Sequence, residues 1–166
     1  MTCYDNYPAR LVALNILEVL AAVALGATIV ARFGLGAALG CAALALLAVA
    51  LSMAFGCTRC YYHGRVCGTG LGRIASLIFK KREEEEFGRS FSQTVSWTLV
   101  GLVLVVPIAA ALVALRDGVA FTQLLWLGAF LGLVAAIVIT HSRLVCSRCH
   151  QANEKRCSLG RLGRSV

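Results

Sequence analysis

The chain alternates between long apolar runs and short polar segments, and the run lengths are its most informative feature. Four runs are long enough to cross a membrane: Leu11–Ala31, Leu35–Phe55, Val95–Leu115 and Val119–Thr140. Each holds about 20 residues, the length a helix needs to cross a hydrocarbon core ~30 Å thick. Lipid offers no partners to backbone N–H and C=O groups, so such runs must be helical. The expected fold class is an all-α integral membrane protein with four transmembrane helices. The first run does not read as a cleavable signal, because the leader Met1–Arg10 is barely basic and the apolar stretch is too long.

Both turns between adjacent runs are short: Arg32-Phe33-Gly34 in the first hairpin and Arg116-Asp117-Gly118 in the second. The N-terminus, the central segment 56–94 and the tail 141–166 are therefore expected on one side. Of the 16 Lys and Arg residues, only Arg32 and Arg116 fall on the other. Flanking bases stay in the cytoplasm, so the expectation is a multi-pass inner-membrane protein with both termini cytoplasmic. Composition agrees: hydrophobic types make up 59% and charged types 14%, against about a quarter charged in soluble domains. A net charge of +8 would suggest nucleic acid in a polar chain. Here the bases flank apolar runs, so the bilayer is the expected partner and nucleic acid is not.

Six of the eight cysteines form two matching clusters. The first loop reads Cys57-Thr-Arg-Cys60-Tyr-Tyr-His63-Gly-Arg-Val-Cys67, and the second Cys146-Ser-Arg-Cys149-His150 with Cys157 eight residues after Cys149. Each C-[ST]-R-C motif begins within a few residues of a span's end and leads to a stretch rich in glycine and arginine. The chain thus divides into two units. Residues 1–94 hold spans at about 11–31 and 35–55, a loop at 57–67 and an amphipathic segment at 73–87. Residues 95–166 hold spans at about 95–115 and 119–140, a loop at 146–157 and a basic tail. Because both hairpins insert in the same orientation, the units form a parallel repeat about an axis along the membrane normal.

A C-x-x-C turn places two thiolates on one side of a tight knuckle, where they can hold a soft metal ion. The candidate metal ligands are Cys57, Cys60, His63 and Cys67 in the first loop and Cys146, Cys149, His150 and Cys157 in the second. Two separate sites and one site shared between the loops are both compatible with the spacing. Zn²⁺ is the leading expectation, since zinc sites fold short loops. An iron–sulfur cluster is the alternative, although the ferredoxin spacing is absent. Thiol–disulfide chemistry is a third reading, with Arg59 and Arg148 placed to favour thiolate. Cys146-Ser-Arg-Cys149-His150 matches the pattern for covalent haem attachment, but a cytoplasmic location disfavours it. Cys3 reads as incidental and Cys41 as a small packing residue.

Within span 1, Asn15 and Glu18 share a helix face. An ionisable group at that depth is costly and faces the bundle interior. A proton or ion site and a hydrogen-bonded packing pair are equal readings, with His141 a candidate partner. Gly36-x-x-x-Gly40 and Gly128-x-x-x-Gly132 are close-packing motifs, suggesting contact between spans 2 and 4. Arg73–Phe87 reads as an amphipathic helix lying at the interface, with Ile74, Leu77, Ile78 and Phe79 on its apolar side. A docking site for a basic cytosolic partner is the alternative use of its Glu run. Gly68-Thr-Gly70-Leu-Gly72 lacks the spacing of a nucleotide fingerprint, and no catalytic triad or carboxylate pair indicates an enzyme. The functional expectation is a metal-binding scaffold or accessory subunit. A membrane redox subunit and a metal transporter or chaperone are the alternatives.

Overall fold

The computed structural model describes residues 3–87, 91–116 and 121–153. The turn at Asp117-Gly118, Cys157 and the basic tail beyond it lie outside the described residues. Helix α1 (Ala9–Val30) starts after Pro8, whose extended backbone (φ −65°, ψ 139°) marks the boundary. One 3₁₀ turn, Ala31–Phe33, and Gly34 at φ 108° reverse the chain into α2 (Leu35–Leu51). That φ is open to glycine and strained for residues with a Cβ. A short helix α3 (Leu71–Ile78) follows the first cysteine loop, and then come α4 (Phe91–Arg116), α5 (Phe121–Thr140) and the single turn α6 (His150–Asn153). No strand occurs among the described residues. Four helical rods are long and apolar enough to cross a membrane: Ala9–Phe33, Leu35–Arg59, Trp97–Arg116 and Phe121–Arg148. The coarse expectation of an all-helical, multi-pass membrane protein agrees with this architecture.

Among the four rods, α1 and α4 pack on each other. Helix α2 packs on both α1 and α4, and α5 packs mainly on α1. Ala22, Ile29, Ala111 and Phe130 form the buried core, ringed by Leu25, Leu104, Ile108 and Leu127. Two of the four core residues are alanines, which matters because close van der Waals contact, rather than water exclusion, holds helices together in lipid. Larger side chains such as Leu17, Leu35, Leu39 and Leu46 point outward, as lipid-facing residues do. Pro107 is fully buried inside α4, its ring set against Gly26 of α1. A Cβ on Gly26 would lie 3.0 Å from Pro107 Cγ and 3.5 Å from Phe130 Cε2.

Two expectations are overturned. Helices α2 and α5 do not pack on each other among the described residues. A Cβ on Gly36, Gly40, Gly128 or Gly132 would meet nothing within 4 Å. Small residues at four-residue spacing make a smooth ridge, but the spacing does not say which neighbour uses it. The amphipathic helix is also shorter than expected, ending at Ile78 instead of Phe87. Phe79 turns extended, Arg82 N donates to Thr58 O (2.8 Å), and His63 Nε2 donates to Phe79 O (3.0 Å). These bonds draw the chain back across the first loop, leaving Lys80, Lys81 and Arg82 outside the helix. The helix keeps a buried small face, Gly72 and Ala75, opposite an exposed apolar face of Ile74, Leu77 and Ile78.

The Gly26–Pro107 contact gives a direct test of the core. Gly26→Leu is expected to destabilise the bundle by about 1–3 kcal/mol through overpacking. Gly40→Ala, which meets open space, should change stability by less than ~0.5 kcal/mol, as surface substitutions do. Thermal unfolding of both variants in the same detergent measures the difference.

Candidate metal centre

The two cysteine loops share one local course. After α2 the rod widens into a π turn, Ser52–Gly56, and tightens into a 3₁₀ turn, Cys57–Arg59. After α5 the same sequence occurs as His141–Val145 and Cys146–Arg148. The residue before each 3₁₀ turn has nearly the same backbone, φ −91°, ψ −59° at Gly56 and φ −99°, ψ −61° at Val145. Each turn closes by the same bond, Cys60 N to Cys57 O and Cys149 N to Cys146 O, both 3.3 Å. The chain then leaves extended through Cys60 (ψ 147°) and Cys149 (ψ 130°). Even the hydroxyls at the second position act alike: Thr58 Oγ1 donates to Ala54 O and Ser147 Oγ to Arg143 O, each four residues back.

What joins the loops is the segment before α1, which sequence reasoning passed over. Tyr4 N donates to Arg148 O (3.1 Å) in the second loop, and Tyr7 N to Val66 O (2.9 Å) in the first. The buried Tyr7 hydroxyl donates to Val145 O (2.7 Å), and Tyr62 Oη donates to Tyr4 O (2.7 Å). Asn6 Oδ1 accepts from Val66 N (2.9 Å), and Asp5 Oδ1 from Tyr61 Oη (2.9 Å). All four tyrosines of the chain stand in one aromatic group, with Tyr4–Tyr7, Tyr7–Tyr62 and Tyr61–Tyr62 centroids 5.2, 5.6 and 5.2 Å apart. The signal available in the sequence was that these tyrosines fall in two pairs, Tyr4/Tyr7 and Tyr61/Tyr62, on either side of the first hairpin.

Around this group the thiols gather. Tyr7, Tyr62 and Val145 form a buried apolar cluster, and Cys60 and Cys67 of the first loop pack on it together with Cys149 of the second. The Cys60 thiol is pushed well above its ordinary range, chiefly by burial, with the sulfurs of Cys149, Cys57 and Cys67 adding to the shift against a Tyr62 N–H bond that lowers it. This reverses the expectation that Arg59 would favour thiolate. The Arg59 guanidinium is spent elsewhere, on Glu86 (2.9 Å) and Phe55 O (3.1 Å). Arg148 likewise points outward, over the Tyr4 ring and onto its hydroxyl. Cys67 Sγ accepts from Gly72 N at 3.2 Å and lies 3.3 Å from Thr69 Oγ1. Cys57 and Cys67 are thiols in this structure.

The histidines stand at the margin of this group. His63 is committed through Nε2 to Phe79 O, and His150 stacks on Tyr61 (4.1 Å, 25°) with Nε2 3.5 Å from Asp5. Cys146 is buried beside Tyr7, and Cys157 lies outside the described residues. Among the described residues, no three His, Cys, Asp or Glu side chains converge so as to hold a metal ion. The glycine-rich stretch has a packing role. A Cβ on Gly68 would collide with Val145 of the second loop, and one on Gly72 with the Tyr62 carbonyl.

Two substitutions test how the N-terminal segment and α3 shield the thiols. Tyr7→Phe removes one buried hydrogen bond between the N-terminal segment and the second loop, costing about 1 kcal/mol. Gly72→Ala forces α3 off the first loop and is expected to cost more. Both should speed alkylation of Cys60 by a maleimide, with Gly72→Ala the faster, as followed by peptide mass spectrometry. No family model, curated protein or solved structure matches this chain.

Proposed function

We propose that the chain is a membrane scaffold or accessory subunit whose two cysteine loops close on one shared Zn²⁺, on the cytoplasmic side of the inner membrane. The carrying observation is that Cys60 and Cys67 of one loop and Cys149 of the other sit on the same buried cluster. With Cys57, whose carbonyl accepts from Cys60 N in the same turn, they make a four-thiolate set of the kind zinc accepts. The Gly72 N–H on Cys67 and the Tyr62 N–H on Cys60 supply hydrogen bonds that stabilise thiolate once the protons leave. The marginal placement of His63 and His150 supports thiolates over imidazoles as the ligands.

The same reading takes the chain as a parallel repeat. It is supported by the matching loop geometry and by the packing, in which α1 lies on α5 about as α4 lies on α2. A two-fold axis along the membrane normal would exchange these pairs and bring both C-x-x-C turns to the same end. The cytoplasmic orientation rests on the distribution of bases and keeps the thiols in a reducing compartment.

The detergent-purified protein is expected to be colourless and to carry one zinc per chain by elemental analysis. Cys60→Ser or Cys149→Ser should each abolish the site, while Cys146→Ser should retain it. Iron with acid-labile sulfide would replace this reading with a redox subunit, and metal-free protein with reversible disulfides would replace it with thiol exchange. Since burial holds Cys60 protonated, zinc uptake must expel protons, so affinity should fall as pH falls. Calorimetry in buffers of different ionisation enthalpy measures that release. A reporter fused after Val166 tests the orientation.

A further inference from the structure

A second polar group lies apart from the thiols, where α1 meets the end of α5. Asn15 is buried in the helix interface, its Nδ2 donating to Leu11 O (3.1 Å). That bond fixes the amide, leaving Oδ1 to face His141 Nδ1 at 3.1 Å. An amide oxygen can only accept, so the His141 proton sits on Nδ1 and Nε2 is left to take up another. One residue earlier, Thr140 Oγ1 donates to Glu18 Oε1 (3.1 Å). The second carboxyl oxygen, Glu18 Oε2, is buried without a hydrogen-bond partner.

Glu18 lies nine residues into α1, about 13 Å along its axis at 1.5 Å per residue. The helices around it offer little charge. Helix α4 carries no ionisable side chain before Arg116, α5 carries none before His141, and α2 contributes only Cys41. On α1 the other charge is Arg10, at its start, and beyond His141 the π turn adds Arg143. A carboxylate beside a neutral imidazole would leave a net charge of −1 on a half-satisfied group in apolar surroundings, which is strongly unfavourable. One added proton removes that charge. Taken from water onto His141 Nε2, it gives an imidazolium whose charge offsets that of the carboxylate, and on Glu18 Oε2 it gives two neutral groups.

We propose that Asn15, Glu18, Thr140 and His141 form a proton-binding site in which Glu18 and His141 together hold one exchangeable proton. Asn15 and Thr140 are positioning residues, each fixing one partner through its outer atom. The orphaned Glu18 oxygen is an open acceptor for that proton. The site is independent of whether the thiols bind zinc, since none of its members comes from either loop.

The test is side-chain NMR of the full chain in lipid bilayers, with the Glu18 carboxyl carbon and the His141 ring nitrogens labelled, between pH ~4 and ~9. In the unmodified protein both signals should move together at one midpoint, because one proton is shared. In Glu18→Gln, which keeps the shape and the Thr140 bond, His141 should lose at least tenfold in proton affinity, a downward shift of one pH unit or more. Separate midpoints in the unmodified protein, or an unchanged His141 midpoint in Glu18→Gln, would overturn the proposal. The unmodified chain alone can therefore refute it, whatever the variant does to folding.

Discussion

Everything in this molecule follows from the lack of water in a hydrocarbon layer. Each backbone N–H and C=O within it must find a partner in the chain, and helices alone do this locally. The consequence is a strict division of labour along the sequence. The four rods carry few ionisable side chains, and among the described residues the tyrosines and every cysteine but Cys41 gather at one end. There the helical bonding pattern can be broken, and the loops and the N-terminal segment exchange hydrogen bonds across large sequence distances, such as Tyr7 to Val145.

At that end, stability rests on a few well-buried groups. The segment Tyr4–Tyr7 touches both loops and gives each a fixed neighbour, so the loops hold a common position without being continuous in sequence. The glycines opposite it permit close approach, with Gly68 against Val145 and Gly72 against the Tyr62 carbonyl. A cluster of this kind keeps Cys60 dry, and dryness rather than nearby arginine decides its protonation. Arg59 illustrates the point: it lies between two cysteines in sequence, yet its guanidinium bonds to Glu86 and Phe55 O.

The spans were legible because length and apolarity are one-dimensional properties. Their ends were less so: α4 starts at Phe91, four residues ahead of the apolar run, since Ser92, Gln93 and Thr94 are polar without breaking a helix. The two cysteine clusters stood out in the sequence, but what brings the loops together did not. It depends on Tyr4 and Tyr7, which look like an ordinary polar leader until their partners at residues 62, 66, 145 and 148 are known. The glycine ridges misled for a related reason: Gly36 and Gly128 announce a surface, and a surface does not name what lies on it. Asn15, Glu18 and His141 were legible as a set because ionisable groups are so scarce in the rods. The bonds among them required the antiparallel register of α1 and α5.

The π turns before each C-x-x-C have a geometric corollary. A helix advances about 100° per residue, and a widened turn accommodates an extra residue without ending the rod. Ser52–Gly56 and His141–Val145 therefore act as phase adjusters: they set the compass bearing at which each knuckle emerges, independently of how the rod below is seated in lipid. Trimming one residue from either would leave a spanning helix of adequate length and unchanged hydropathy. Its sulfurs, however, would be swung roughly a quarter-turn away from their counterparts.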